Sequence, residues 1–309
     1  MANFISNAVK YYYNKFYQKF HYDTFKSSML AGKQLAEMNS GKKNIQSLDE
    51  VAFQVFSQWG EDGIIQYIIS QIAIPNKIFI ELGVEKYTES NTRFLLINNY
   101  WQGLVIDGCK LDIRFIKNDF IYWKYNITAY NDFITKENIN SLISSFTSCS
   151  DIGLLSIDID GNDYWIWEAI DVVKPRIVVC EYNTVFGNTQ KVSIPYEKSF
   201  TQTKAHFSNL YYGASLGALC FLAEKKGYDF IGTATSGVNA FFIRKDLAAS
   251  FVTYNAITGF HESVNRSSKD KKGRLNFLPA NERLHIIKDM KVVDVASGSL
   301  HTIKDVYQL

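Results

Sequence analysis

The sequence predicts an α/β fold in which a mainly parallel sheet carries helices on both faces. Three observations predict it. Short apolar runs and helix-spaced apolar stripes alternate five times through the middle of the chain. Four of the runs end in acids or in an acid followed by an asparagine: IFIEL at Glu81, GLVID at Asp107, LLSID at Asp158 and RIVVCEYN at Glu181 and Asn183. Ligands of open parallel sheets bind outside the carboxyl ends of the strands, so polar groups gathered at strand ends mark the edge of a site. A last helix and strand pair then follow at residues 216–244.

The elements come in order as follows. Residues 1–48 read as a helical extension. Phe4, Ile5, Val9, Tyr12, Tyr13, Phe16 and Phe20 recur at helical spacing among Lys10, Lys15 and Lys19. Such a stripe packs on its own domain or on a second copy of the chain, and it also suits peripheral contact with an acidic membrane. Ser40-Gly41-Lys42-Lys43 breaks before a core spanning 49–250. In FSQWGEDGIIQYIISQI, Ser57 is a candidate N-cap, and Glu61 and Asp62 favour the first turn of a helix. Gln58 is left to project toward a ligand. The run from Lys77 to Gly83 is a strand entering a glycine turn, and a helix starts near Ser90 and Asn91. GLVID is a second strand, and Phe120–Asn126 a third. Leu154 leads a fourth and Arg176 a fifth. Residues 184–213 lack periodicity and contain His206, the pattern of a functional lid. Ser215 caps a helix that closes at Gly227, and strands follow at 228–233 and 239–244. Residues 251–309 form a weakly patterned appendage.

Bulk properties narrow the function. At 47% hydrophobic residues, 309 residues can bury a large core. A net charge of +2 gives no electrostatic reason to expect a nucleic-acid partner. The four cysteines form no CxxC pair, and no apolar run reaches the roughly 18 residues of a membrane span. With no signal-peptide core at the start, reduced thiols and a cytoplasmic location are expected.

The chemistry concentrates at the strand ends. Glycine at 83 lets the backbone approach a ligand, and the following loop and helix start can hold a carboxylate through bare N–H groups. Glu85 and Tyr87 stand where a phosphate-binding loop would have further glycines, which disfavours a dinucleotide. An acid about 20 residues past a glycine turn typically holds ribose hydroxyls, the place of Asp107. Asn126, at the end of the third expected strand, would flank an adenine. Side chains alternate along a strand, so Asp158 and Asp160 share one face, and Glu181 and Asn183 share another. If their strands are neighbours, these four are the candidate oxygen ligands of one Mg²⁺. In SIDIDGND the residues alone leave three readings open: the acidic edge of a methyl-transfer site, a phosphatase nucleophile loop, or the DxD metal clamp of a sugar transferase.

IELG with TESN, VIDG, SIDIDGNDYW and VVCEYN, taken in order, resemble a class I S-adenosylmethionine-dependent methyltransferase. SQWGED, YYGASLGAL and GVNAFFIRKDL resemble the FkbM-type and related bacterial sugar O-methyltransferases. The resemblance covers residues 55–247. It implies a doubly wound, mainly parallel seven-stranded Rossmann-like sheet. It also implies S-adenosylmethionine as cofactor, with Glu81 and Gly83 at its methionine portion and Asp107 at its ribose. Asp158, Glu181 and Asn183 would form a metal set like that of cation-dependent O-methyltransferases. The implied reaction is O-methylation of a sugar hydroxyl in bacterial surface-glycan or glycoside synthesis, with Asp158 catalytic; His206, among the polar residues of the expected lid, is the candidate general base. The alternatives are a non-catalytic relative kept for binding or assembly, and a DxDG phosphatase.

Overall fold

A computed structural model describes residues 24–234 and 236–309. The stripe from Phe4 to Phe20 lies outside the described residues. Ten strands occur among them: β1 Ile78–Leu82, β2 Gln102–Asp107, β3 Ile127–Asn131, β4 Leu154–Ile157, β5 Ile177–Glu181, β6 Val192–Ser193, β7 Tyr228–Thr233, β8 Asn239–Arg244, β9 Lys291–Asp294 and β10 Leu300–Thr302. The helices are α1 at residues 24–40, then α2 Glu61–Gln71, α3 Arg93–Asn99, α4 Lys110–Asn118, α5 Phe120–Lys124, α6 Ile139–Phe146, α7 Asp163–Ala169, α8 Gln202–Ala205, α9 Leu216–Lys226, α10 Ala280–Ile286 and α11 Ile303–Tyr307.

Seven strands form the central sheet in the order β3-β2-β1-β4-β5-β8-β7. β1 to β5 pair in parallel, and β8 runs antiparallel to both β5 and β7. This is the doubly wound, mainly parallel seven-stranded α/β sheet the sequence predicted. The strand order reverses between β1 and β4, which opens a crevice at their carboxyl ends.

Alternation along the strands divides the core. Ile80, Leu82, Leu104, Ile106, Leu155, Ile157, Val178 and Cys180 pack with α6, α7 and α9. Phe79, Val105, Leu154, Ile177, Val179, Phe241 and Ile243 pack with α2, α3, α4 and α5. By the same period of two, Glu81, Ser156, Glu181 and Asn239 lie on the α2–α3 face at the carboxyl edge. α9 begins and ends on the predicted residues: Ser215 accepts from Ala218 N at 3.0 Å, and Gly227 closes the helix with φ +82°.

The stretch expected as a third strand is a helix. Asp119 caps α5 by accepting from Ile121 N, and the strand proper is the following ITAYN, paired with β2 from Gly103↔Ile127 onward. The aperiodic segment after β5 and the C-terminal residues build a second unit together. β6, β9 and β10 form an antiparallel sheet. Phe186, Val192, Ile194, Leu210, Ile287, Val292 and Ile303 bury between it and α10 and α11.

Candidate active site

A cleft of about 500 Å³ lies at the carboxyl edge of the central sheet. Its first wall is the turn after β1. Gly83 has φ +77°, and a Cβ there would lie 1.7 Å from the Asp158 carbonyl oxygen, so glycine is required both by the backbone and by the close approach of β4. Glu85 and Tyr87 adopt φ of +45° and +59° without being glycine. Packing and bonding hold them there: Glu85 N donates to Asp107 Oδ2 at 2.8 Å, and Tyr87 is fully buried with its hydroxyl 2.8 Å from Thr92 Oγ1. The loop therefore follows a glycine-like path despite its composition.

Glu81 organises the start of α3. Its carboxylate accepts from Ser90 Oγ at 2.7 Å, from Asn91 N at 2.8 Å, from Thr92 N at 3.2 Å and from the Thr92 hydroxyl. Burial pushes the Glu81 carboxyl up, and these donors pull it back. Asn91 donates to Ser156 Oγ at 3.1 Å, tying the α3 loop to β4. Asp107 bridges two loops by accepting from Glu85 N and, at 2.7 Å, from Cys109 N. Gln58, Glu81, Gly83, Asn91 and Asp107 all line the cleft.

The opposite wall is acidic. One carboxylate oxygen from each of Asp158, Asp163 and Glu181 lies within 4.8 Å of the other two. Burial and the charges of Asp160 and Asp163 raise Asp158 well above the carboxylate range. Burial and the charges of Asp158, Asp160 and Asp163 do the same to Glu181. The negative charge of Asp158 thus disfavours the charged form of Glu181. Glu181 Oε2 is buried without a partner in the protein, and so are Asn239 Oδ1 and Thr201 Oγ1. All three residues line this cleft. Buried polar atoms are rarely left unpaired, so three on one cleft are the mark of a ligand site.

The sequence placed Asp160 and Asn183 in the metal set by extending strand alternation, but β4 stops at Ile157 and β5 at Glu181. Asp160 turns away at φ +54° and faces the open cleft. The cleft walls and the charges of Asp163, Glu85 and Asp107 push it up to about 6. Asp163 takes its place in the cluster while accepting from Ile159 N at 2.8 Å and Gly161 N at 3.0 Å, which also fixes the turn into α7. Asn183 is not brought to the cleft. Its amide donates to Leu210 O and Tyr212 O at 2.9 Å each, and its oxygen accepts from Val185 N.

Two other expected residues also lie elsewhere. Asn126 precedes β3, at the amino end of the sheet, and its carbonyl accepts from Gly103 N. The residues past the true end of β3 that reach the cleft are Phe133 and Ile134. His206 is outside the cleft lining. Its Nδ1 pairs with Ser208 Oγ at 2.8 Å, its ring packs on Phe207, and partial burial lowers its pKa. The expected lid does reach the site through Phe200, Thr201, Gln202 and Thr203, and Asn265 of the C-terminal segment joins them. The lid is anchored to the acidic loop by Asn162 Nδ2 donating to Glu197 O at 2.9 Å and by Phe200 against Gly161.

No family model and no curated protein match the sequence. Solved structures match parts of the chain at low identity. The N-terminal domain of EvdMO1 with S-adenosylhomocysteine bound is 10% identical, covering 54% of this chain and 72% of its own, with a TM-score of 0.34. An S-adenosylmethionine-dependent methyltransferase from Clostridium acetobutylicum is 9% identical over 62% of this chain and 92% of its own, with a TM-score of 0.37. A putative caffeoyl-CoA O-methyltransferase from Staphylococcus aureus is 15% identical over 70% and 99%, with a TM-score of 0.39. Likeness at this level is no guide to chemistry, which has to be read from the side chains.

Proposed function

We propose that this chain is an S-adenosylmethionine-dependent O-methyltransferase acting on a sugar hydroxyl of a bacterial surface glycan or glycoside, assisted by Mg²⁺. The observation that carries the reading is the lining of one continuous cleft, rich in carboxyl groups and free of basic side chains. Seven carboxylates line it, from Glu81, Glu85, Glu89, Asp107, Asp158, Asp160 and Glu181, with no lysine or arginine among its described residues. That wall suits a ligand with a sulfonium and an ammonium group and repels phosphates, which disfavours both a dinucleotide and a DxDG phosphatase. Its volume lies within the range of small-molecule sites.

Asp107 would take the ribose hydroxyls, and Phe133 and Ile134 give the adenine an apolar wall. The methionine portion would lie along Gly83 and the loop that Glu81 fixes. The cluster of Asp158, Asp163 and Glu181, with an unpartnered Glu181 oxygen, fits a hard cation, which when bound would lower the pKa of the acceptor hydroxyl and orient it. Asp160 faces the same space with a proton affinity near neutral and takes the general-base role first given to His206. The lid of Phe200–Thr203 would exclude water over the reacting groups. The left-handed backbone at Glu85 and Tyr87 supports cofactor binding by the glycine-poor loop.

Titration of the whole chain with S-adenosylmethionine in a calorimeter tests the reading, and saturable binding is expected. No heat from a folded protein would sink it. Asp158→Ala should bind the cofactor normally while losing transfer of a labelled methyl group to glycan fragments. Normal turnover by that variant would overturn the role given to the acidic cluster.

A further inference from the structure

The acidic cluster faces a cleft that the start of β8 also reaches. β8 runs antiparallel to the strands beside it, so it begins at the edge where they finish. Its first residue, Asn239, stands directly opposite Glu181, the last residue of β5. Opposed residues of an antiparallel pair project to the same face, with Cβ atoms about 4.5–5.5 Å apart. Asn239 is buried, at 4% exposure, and still lines the cleft.

The orientation of its amide is fixed from behind. Asn239 Nδ2 donates to Glu61 Oε1 at 3.0 Å, and Glu61 Oε2 accepts from Trp59 N at 2.8 Å. Glu61 is fully buried at the start of α2. A carboxylate oxygen accepts, so the NH₂ end of Asn239 must face Glu61 and its oxygen must face away. That oxygen has no partner in the protein, and neither has Glu181 Oε2 across the register. Two buried, unpartnered oxygens from opposed residues thus meet the cleft that Asp158 also lines.

We propose that Asn239 supplies an amide-oxygen ligand to a hard-cation site completed by Asp158, Asp163 and Glu181, and that Glu61 is the positioning residue that aims it. This rests on the functional reading above, since the cation is the one invoked there. Hard divalent cations favour such all-oxygen sets of carboxylate and amide groups. Glu61→Gln would break the device, because the new amide could accept from Trp59 N or from Asn239 Nδ2 but would meet the other donor with its own NH₂.

Binding of Mn²⁺ alone to the full chain, followed by electron paramagnetic resonance, tests the proposal without reference to turnover. The wild-type chain should bind one ion at the site. Asn239→Ala should weaken binding about 10- to 100-fold, and Glu61→Gln about 10-fold. The double variant should bind no more weakly than Asn239→Ala, because Glu61 acts through Asn239. Melting temperature and S-adenosylmethionine affinity are measured for each variant. If Asn239→Ala does not fold, Glu61→Gln alone carries the comparison. Wild-type Mn²⁺ affinity in either folded single variant would overturn the proposal, and so would additive losses in the double variant. A wild-type chain that binds S-adenosylmethionine but no Mn²⁺ would overturn it while leaving the methyltransferase reading intact.

Discussion

Replacing Gly83 by alanine tests whether the glycine turn and the acidic loop are one construction. Two costs meet at this residue. An L-residue in left-handed backbone costs roughly 1–2 kcal/mol, offset by about 0.4–1 kcal/mol because alanine has less freedom to lose from the unfolded chain. The second cost is steric: the new Cβ would sit 1.7 Å from Asp158 O and 2.7 Å from Asp158 C, both backbone atoms that no side-chain rotation can clear. Overpacking of this kind adds about 1–3 kcal/mol. Gly273 is the internal control, with the same φ of +77° and nothing within 4 Å of an added Cβ. Gly273→Ala should therefore cost about 1 kcal/mol or less, and Gly83→Ala about 2–4 kcal/mol. At about 2.1 cal/mol/K per residue, 309 residues give roughly 1.5 °C per kcal/mol, so the steric difference of about 1–3 kcal/mol should separate the two melting temperatures by roughly 1.5–5 °C. Calorimetry with S-adenosylmethionine supplies the second readout. Moving the Asp158 backbone shifts both walls of the cleft, so Gly83→Ala should also lose cofactor affinity and Gly273→Ala should not. Equal melting temperatures for the two variants would refute the steric account, and unchanged cofactor affinity in Gly83→Ala would refute the placement of the methionine portion.

Two further predictions concern proton chemistry. His206→Gln should turn over close to the wild-type rate, because His206 bonds Ser208 and packs on Phe207 outside the cleft; a loss of ~10²-fold or more in kcat, the scale of a general base, would return it to the mechanism. Burial pushes Asp62 up from 3.8 to about 6, and Asp160 reaches about 6 as well, with Asp158 and Glu181 also raised. Groups raised in the folded state bind protons more readily there, so the stability they contribute is complete below about pH 4 and lost as the pH rises through about 6. The metal-free chain should accordingly melt at lower temperature at pH 7 than at pH 5, and saturating Mg²⁺ should reduce the difference by relieving the repulsion among Asp158, Asp163 and Glu181. A melting temperature that rises from pH 5 to pH 7 without the metal would contradict the assigned shifts.

How much of this was legible in the sequence depended on whether a residue's environment is set by its own strand. β1, β2, β4, β5, β7 and β8 were readable because two-sided burial demands an apolar run and the run stops where the sheet stops. FIYWK was misread because a short aromatic run suits a strand or a helix equally, and the deciding feature is the single cap at Asp119. In the site, Glu81, Asp107, Asp158 and Glu181 were found as acids closing apolar runs. Asp160 and Asn183 were misplaced for one shared reason. The two-residue alternation is a property of a hydrogen-bonded ladder, and it lapses past Ile157 and Glu181, where the ladder ends. Asp163 was not legible, since the turn that brings it beside Asp158 depends on left-handed backbone at Asp160. Asn239 was the one missed residue with a usable signal. The strand pair at 228–244 had been read correctly, and a strand antiparallel to its neighbours must start where they finish. Its first polar residue therefore belongs to the same edge as the acids that close the parallel strands, which makes the first residue of a reversed strand as informative about a site as the last residue of a parallel one.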